Sequence, residues 1–187
     1  VGRLTLLGAD AIEAPLIRIE PPQDLRPLRE AAAIAGVFDW IVFTSTNAVD
    51  AFMKALLEGD GDVRTMKGPR LCAVGTGTAE RLARYGIKVD LLPGEFRSEA
   101  LVAAIMAAGP VNGARVLLPR ADIGREVVAD QLRDAGAVVT DVIAYRTVLN
   151  DTLRAGNPDV YKLLLEGRID VVTFASPSAA RSFVTLY

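Results

Sequence analysis

Short apolar runs alternate along the chain with longer segments in which apolar residues recur at helical spacing. The runs are almost continuously apolar, which is typical of parallel strands that helices cover on both faces. They predict strands at 13–17, 40–43, 71–74, 89–92, 116–118, 139–144 and 171–174. Residues 48–57 and 127–135 show the period of amphipathic helices, and Gly136 predicts the end of the second helix. This alternation predicts an α/β protein with parallel strands.

Two pairs of segments repeat within the chain. Residues 39–52 (DWIVFTSTNAVDAF) match 170–183 (DVVTFASPSAARSF) without a gap, and 8–19 resembles 136–147 at nearly the same separation. Identical residues fall in register, among them Phe43/Phe174, Ser45/Ser176 and Phe52/Phe183. A general likeness between strand–helix units is the simpler explanation, but two matches at almost equal separations favour a duplication. We therefore expect two similar parallel-sheet α/β domains.

The repeat alone leaves the pairing of the segments open. Each half of the chain can form its own domain, or the two ends can form one domain into which the middle is inserted. Both joints, at 19–24 and 147–152, are polar and carry Pro or Asn. They predict paired linker strands at these two places.

Composition and charge exclude several classes of partner. The 187 residues are 51% apolar and 24% charged, the profile of a soluble globular protein. With 21 basic and 23 acidic residues, the formal net charge is −2, so no basic field would hold a nucleic acid or an anionic membrane. No apolar stretch reaches the ~18–20 residues of a membrane helix, and the N-terminal segment does not resemble a signal peptide.

The chain has no histidine and a single cysteine, Cys72. These counts exclude Ser–His and Cys–His dyads, histidine metal ligands, an intramolecular disulfide and a thiolate zinc site within this chain. Cys72 stands in the apolar run LCAV, which favours a small buried residue over a reactive thiol. We expect no metal site, and the low cysteine content favours the cytoplasm.

Hydroxyl and glycine residues follow the predicted strands at FTSTN (43–47), VGTGT (74–78) and FASPS (174–178). Two further loops carry Ser98 or arginines, LLPGEFRSEAL (91–101) and LPRADIGRE (118–126). In open α/β sheets, ligands bind beyond the carboxyl ends of the strands, where helix N-termini favour anions. Helix capping explains any one of these loops. Taken together, they indicate an anionic ligand with many contact points. The nearby Arg97, Arg120 and Arg125 are either ligands of that anion or solvated surface charges; the sequence leaves this open.

Common nucleotide and hydrolase motifs do not fit the chain. Residues 75–80 approximate the dinucleotide fingerprint GxGxxG, with Gly75 and Gly77 as its first two glycines. Glu80 stands at the position of the third glycine, which the fingerprint needs for close packing of the helix on the strand. There is no P-loop and no nucleophile elbow.

An ordered set of segments, covering nearly the whole chain, carries a family resemblance. The segments are EAPLIRIEP (13–21), DWIVFTSTNAVDAF (39–52), AVGTGTAERLARYG (73–86), FRSEALVAAI (96–105), RVLLPRADIGREVVADQLRDAGAVV (115–139), VIAYRTV (142–148) and DVVTFASPSAARSF (170–183). In this order they resemble the uroporphyrinogen-III synthase family, in which single motifs diverge but the order is specific.

The resemblance implies the inserted arrangement of the two domains. Residues 1–18 and 151–187 would form a discontinuous first domain, incomplete at both ends. Residues 25–146 would form the inserted second domain, with 19–24 and 147–150 as linkers.

The resemblance also implies a cofactor-free lyase of the hydro-lyase type. Such an enzyme cyclises hydroxymethylbilane, which carries eight carboxylates, to uroporphyrinogen III with inversion of ring D and loss of water, in tetrapyrrole and heme biosynthesis. We expect a cytoplasmic monomer that acts on this small molecule, with no nucleic-acid or membrane partner. The alternative is a non-catalytic binding or regulatory module of the same fold.

Site residues follow from the resemblance and from the strand ends. Tyr145 in VIAYRTV matches the family's candidate general acid, which would protonate the leaving hydroxyl; simple packing of the ring at a strand end is the alternative. Thr78 matches a family threonine of the binding cleft. The substrate-binding candidates are Thr44, Ser45, Thr46, Gly75, Thr76, Gly77, Thr78, Ser98, Arg120, Ile123, Gly124, Ser176 and Ser178.

Overall fold

The structure, a computed structural model, describes residues 2–95, 98–123, 127–150, 158–174 and 177–186. The chain divides into two compact units, one of Val1–Arg18 with Thr147–Tyr187 and the other of Ile19–Arg146. A mixed α/β fold with a five-stranded sheet results. The division into two domains with linkers at 19–24 and 147–150 stays a prediction.

Strands and helices alternate in chain order. The strands are β1 Ile17–Glu20, β2 Trp40–Phe43, β3 Arg70–Ala73, β4 Arg115–Ala121 and β5 Val138–Leu149. The helices are α1 Gly2–Leu6, α2 Arg26–Ala33, α3 Thr46–Glu58, α4 Thr76–Ala83, α5 Ser98–Ala108, α6 Val127–Asp134, α7 Val160–Leu165 and α8 Pro177–Leu186. Short 3₁₀ helices lie at Ala35–Val37 and Val63–Met66.

The sheet has the strand order β1-β5-β4-β2-β3. Strand β2 pairs in parallel with β3 and β4, and β4 pairs in parallel with β5. Beyond β3, Leu91 forms a single parallel bridge with Cys72. The chain therefore adds β3 on one side of β2, and then adds β4 and β5 in turn on the other side. Such a reversal of strand order leaves a crevice at the carboxyl ends of β2 and β4, where doubly wound folds bind ligands.

Strands β1 and β5 run in opposite directions. The Asn150 amide N–H donates to Leu16 O over 2.9 Å, while Arg146 Nη2 donates to Glu20 Oε2 over 3.0 Å at the other end. Partner numbers that fall as the other strand's numbers rise define an antiparallel pair.

Side chains alternate between two cores, one on each face of the sheet. Ile41 and Phe43 of β2 pack with α2, α3 and α4, whereas Trp40 and Val42 pack with α5 and α6. Burial on both faces is the physical reason for the uninterrupted apolar runs in the sequence.

The residues that repeat in the sequence make the same local contacts in each of the two units. Phe43 and Phe52 form an edge-to-face pair with ring centroids 5.5 Å apart, and Phe174 and Phe183 form the same kind of pair at 5.4 Å. Helices α3 and α8 also begin at matching positions, since Thr46 and Pro177 are in register in the repeat. Both observations support a duplication of the strand–helix segment.

Three strand predictions need correction. Strand β1 starts at Ile17 rather than at residue 13, because Pro15 has no N–H to donate to a neighbouring strand. Residues 89–92 form only one β-bridge and no strand. The Asp90 carboxylate accepts the Leu71 N–H over 2.7 Å in place of a backbone carbonyl, and Pro93, which follows, has no N–H to donate. Residues 171–174 are not a strand, and Val171 is 75% exposed.

In the unit of Val1–Arg18 and Thr147–Tyr187, the described residues form α1, α7 and α8 and the ends of β1 and β5. They contain no second parallel sheet. The expectation of two similar parallel-sheet domains is therefore confirmed only for the α/β class and for the sheet of Ile19–Arg146.

Candidate functional site

The carboxyl end of β2 leads directly into the N-terminus of α3. Ser45 adopts an extended backbone (φ −154°, ψ 157°), and its Oγ accepts the Ala48 N–H over 3.1 Å. A serine in this geometry is an N-cap, which satisfies one of the unpaired amides of the first helical turn. Its neighbours Thr44 and Thr46 are half-buried. The predicted loop at 43–47 therefore lies at the carboxyl edge, as expected.

Tyr145 owes its direction to an irregularity in β5. The register with β4 passes from Arg120↔Ile143 to Ala121↔Tyr145, so one extra residue, Ala144, is inserted. A bulge of this kind resets the alternation of side chains. Ala144 and Tyr145 consequently both pack into the core on the α3 face, although they are consecutive.

The bulge brings the Tyr145 phenol to the start of α3. Its OH lies 3.1 Å from Ser45 Oγ, and either oxygen can be the donor. Only 9% of Tyr145 is exposed. The candidate acid and one predicted binding residue thus share a hydrogen bond at the carboxyl edge.

Arg120 lies on β4 and is held by its own chain. Its Nε donates to Asp141 Oδ1 over 2.6 Å, and its Nη1 donates to Ala121 O over 2.9 Å. The two side chains of the ion pair are 17% and 13% exposed. Arg120 is therefore neither a solvated surface charge nor an unengaged cation, and its role as a substrate ligand stays a prediction.

The glycine-rich segment after β3 forms the start of α4. Gly75 stands at the N-cap without a side-chain cap, and Thr76 and Gly77 are exposed in the first turn. A Cβ built on Gly77 meets no atom within 4 Å. Thr78 differs, because it is only 5% exposed. Its burial favours packing over open contact, while its binding role stays a prediction.

The other predicted residues are less informative. Ile123 is 74% exposed just beyond β4. Gly124 and Ser176, together with Arg97 and Arg125, lie outside the described residues. Ser98 and Ser178 belong to α5 and α8, but their side chains lie outside the described part of the structure.

Two contacts near the site were not anticipated from the sequence. Asp141, the partner of Arg120, lies one strand away, and only the strand register brings the two together. Tyr85 OH donates to Asp50 Oδ1 over 3.1 Å, which ties the end of α4 to α3. Burial, and then the hydrogen bond to Asp50, raise the pKa of Tyr85. A sequence signal for either pair is lacking, because charged and phenolic residues at helix and strand surfaces are common.

The described residues contain no cluster of three or more side chains able to hold a metal ion. In the same parts of the chain, no helix is long and apolar enough to cross a bilayer. The carboxyl edge offers hydroxyls, a phenol and the N-termini of α3 and α4. These groups can bind carboxylates and donate a proton.

This fold and this edge define an open, doubly wound α/β protein whose strand ends present hydroxyls and helix N-termini. The family model HEM4, described as uroporphyrinogen-III synthase HemD, matches residues 1–187. The chain belongs to the uroporphyrinogen-III synthase family.

Individual relatives agree with this assignment. The chain is 34% identical over 185 residues to the uroporphyrinogen-III synthase of Synechococcus elongatus, covering 98% of this chain and 68% of that protein. It is 28% identical over 187 residues to the same enzyme of Chlorobaculum parvum, covering 98% of this chain and 72% of that protein.

Solved structures agree on the fold. A mutant uroporphyrinogen III synthase from the extremely thermophilic bacterium Thermus thermophilus superimposes with a TM-score of 0.65 at 18% identity, covering 92% of this chain and 66% of that one. The enzyme of Helicobacter pylori 26695 gives a TM-score of 0.58 at 17% identity, covering 96% and 76% of the two chains. The chain thus spans about two thirds of the length of the Synechococcus and Thermus proteins.

Proposed function

We propose that the protein carrying this chain is a uroporphyrinogen-III synthase, a lyase of tetrapyrrole and heme biosynthesis. It cyclises hydroxymethylbilane to uroporphyrinogen III, with inversion of ring D and loss of water. The observation that carries the proposal is the Tyr145 phenol at the carboxyl edge, next to the N-terminus of α3, in a chain of this family.

Substrate binding rests mainly on the backbone at the strand ends. The eight carboxylates of hydroxymethylbilane need many donors, and the first turns of α3 and α4 each expose amides with no intrahelical partner. The exposed Thr76 and Gly77 leave the α4 amides open to a ligand. The hydroxyls of Thr44 and Thr46 add further donors.

The chemical step needs a proton at the leaving hydroxyl. As the carbon–oxygen bond breaks, Tyr145 donates its phenolic proton and water leaves. Ring D then attacks the resulting carbon centre to close a spiro intermediate, whose rearrangement inverts that ring. When the last pyrrole regains aromaticity, it releases a proton, which restores the phenol. Protons therefore balance without a cofactor.

Folding a long linear substrate into the correct geometry supplies much of the rate. Positioning two reacting centres can lower a barrier by as much as ~7–11 kcal/mol. The proposal also holds that the enzyme works as a cytoplasmic monomer. The buried, reduced Cys72 is compatible with the cytoplasm.

The direct test supplies hydroxymethylbilane to the protein at its full natural length and separates the uroporphyrin isomers after oxidation. Isomer III formed well above the spontaneous rate supports the proposal. Isomer I alone at the spontaneous rate refutes it, and tight binding of hydroxymethylbilane without turnover would then identify a binding module.

A further inference from the structure

We infer that Ser45 is the positioning residue for the Tyr145 phenol, holding it and orienting its proton for transfer to the leaving hydroxyl. This inference rests on the proposed function. It adds to that function a second residue that acts through Tyr145 rather than on the substrate.

Two contacts fix Ser45 Oγ in place. A serine hydroxyl has one O–H donor and two acceptor lone pairs. One lone pair accepts the Ala48 N–H over 3.1 Å. That contact ties the oxygen to the first turn of the 13-residue helix α3, which is itself packed into the core through Phe52 and Met53. Tyr145 therefore meets a partner that cannot easily move.

The Tyr145 ring has little freedom apart from its contact with Ser45. The bulge at Ala144 directs the ring to the α3 face, and only 9% of the residue is exposed to solvent. Apolar packing sets the position of the ring but not the rotation of the phenolic O–H. The hydroxyl of Ser45, 3.1 Å from the phenol oxygen, is the group that sets this rotation.

The direction of the hydrogen bond between Ser45 and Tyr145 determines how Ser45 assists proton transfer. If Ser45 O–H donates to Tyr145, the phenolic proton is free to point at the substrate. When that proton leaves, the phenolate needs a donor, and the same Ser45 O–H supplies a charge-assisted hydrogen bond. The positive end of the α3 dipole lies at Ser45 and adds to the stabilisation of the phenolate. Ser45 thus assists both before and after the transfer.

The test is a double-mutant cycle on the rate of uroporphyrinogen III formation. The variants are Ser45→Ala, Tyr145→Phe and the combination of the two, each checked for its unfolding midpoint in urea. Ser45→Ala should lower kcat about two- to ten-fold, the effect of losing one neutral hydrogen bond. In the Tyr145→Phe background the same change should lower kcat no further, because the proton that Ser45 orients is gone.

Two further variants separate positioning from the helix cap. Ser45→Thr keeps both the hydroxyl and the cap, so it should retain most of the wild-type kcat that Ser45→Ala loses. Asp159→Ala removes a comparable cap, since Asp159 Oδ1 accepts the Lys162 N–H over 2.9 Å at α7. That variant should lose stability at α7 while keeping kcat.

Each outcome decides one claim. If the wild-type protein forms only isomer I, the proposed function fails. If it forms isomer III and Ser45→Ala lowers kcat by the same factor with and without Tyr145, Ser45 acts independently and the inference is wrong. Full kcat in Ser45→Ala, or no recovery in Ser45→Thr, also overturns it. The inference is supported if Ser45→Ala lowers kcat in the wild-type protein but not in the Tyr145→Phe background.

Discussion

Ser45 and Tyr145, one hundred residues apart along the chain, place their hydroxyl oxygens 3.1 Å from each other. The contact joins the end of β2 to β5 across the neighbouring strand β4. It depends on two local features: the N-cap geometry of Ser45 and the bulge before Tyr145. The contact sets a phenol, the candidate proton donor, at the N-terminus of the longest helix in the described part of the chain.

Gly77→Ala separates stability from substrate binding. Alanine has the higher helix propensity and its methyl group meets open space, so the free energy of unfolding should stay level or rise by up to ~1 kcal/mol. The same methyl would stand where a substrate carboxylate approaches α4, so KM should rise several-fold. Urea denaturation and steady-state kinetics measure the two effects. Gly2→Ala, a helix glycine that is also in open space but lies away from the carboxyl edge, should leave KM unchanged.

The ion pair of Arg120 and Asp141 should stabilise the sheet. Arg120→Met leaves a largely buried carboxylate without its cation, which should lower the free energy of unfolding by roughly 2 kcal/mol. This is below the ~3–5 kcal/mol of fully buried pairs, because both side chains retain some access to water. Urea denaturation of the variant measures the loss.

The combined variant Arg120→Met/Asp141→Leu tests whether Arg120 also binds substrate. It should regain most of the stability, because no unpaired charge remains. If Arg120 binds a substrate carboxylate as well, KM stays raised when stability returns. Recovery of both stability and KM would assign Arg120 to the fold alone.

Gly136→Ala tests the end of α6. Gly136 has φ +88°, and a Cβ there would press on the Asn112 side chain. We expect a loss of roughly 1–3 kcal/mol in the free energy of unfolding, from backbone strain and this contact together. Gly86→Ala is the matched control, since Gly86 has φ +77° with open space around it. The control should cost less; equal losses would leave no role for Asn112.

Cys72 should be unreactive in the folded protein. Burial raises the pKa of its thiol to about 12, so the thiol stays protonated up to well above neutral pH. Disulfide-exchange reagents attack through the thiolate. Labelling at about pH 8 should therefore be slow in buffer and fast in denaturant, where the pKa returns to about 8.5. Rapid labelling of the native protein would show that the core around β3 opens readily.

The sequence predicted local features well where one segment determines its own structure. Residues 40–43 form β2 as expected, and Gly136 follows the last turn of α6 with a positive φ. Ser45 stands at a helix start because its side chain can satisfy an amide three residues on. These outcomes need only neighbouring residues, so periodicity and capping preferences suffice.

Features that need a distant partner were predicted poorly. The apolar run 171–174 has the composition of a strand, yet a strand forms only when another strand accepts its hydrogen bonds. The direction of Tyr145 depends on one extra residue in the β4–β5 register, and the VIAYRTV sequence does not reveal that bulge. For the same reason neither the Ser45–Tyr145 nor the Arg120–Asp141 contact could be predicted.

The most direct test of the account is the rate at which Tyr145→Phe forms uroporphyrinogen III from hydroxymethylbilane. This substitution removes the phenolic oxygen and keeps the packing of the ring. Tyr85→Phe is the matched control. It also removes a phenolic hydroxyl from the unit of Ile19–Arg146, and that hydroxyl bonds to Asp50 rather than to Ser45. We predict a loss of roughly ten- to a hundred-fold for Tyr145→Phe, at the low end of general acid catalysis, and little change for Tyr85→Phe. A folded Tyr145→Phe variant with the full wild-type rate of isomer III would contradict the account.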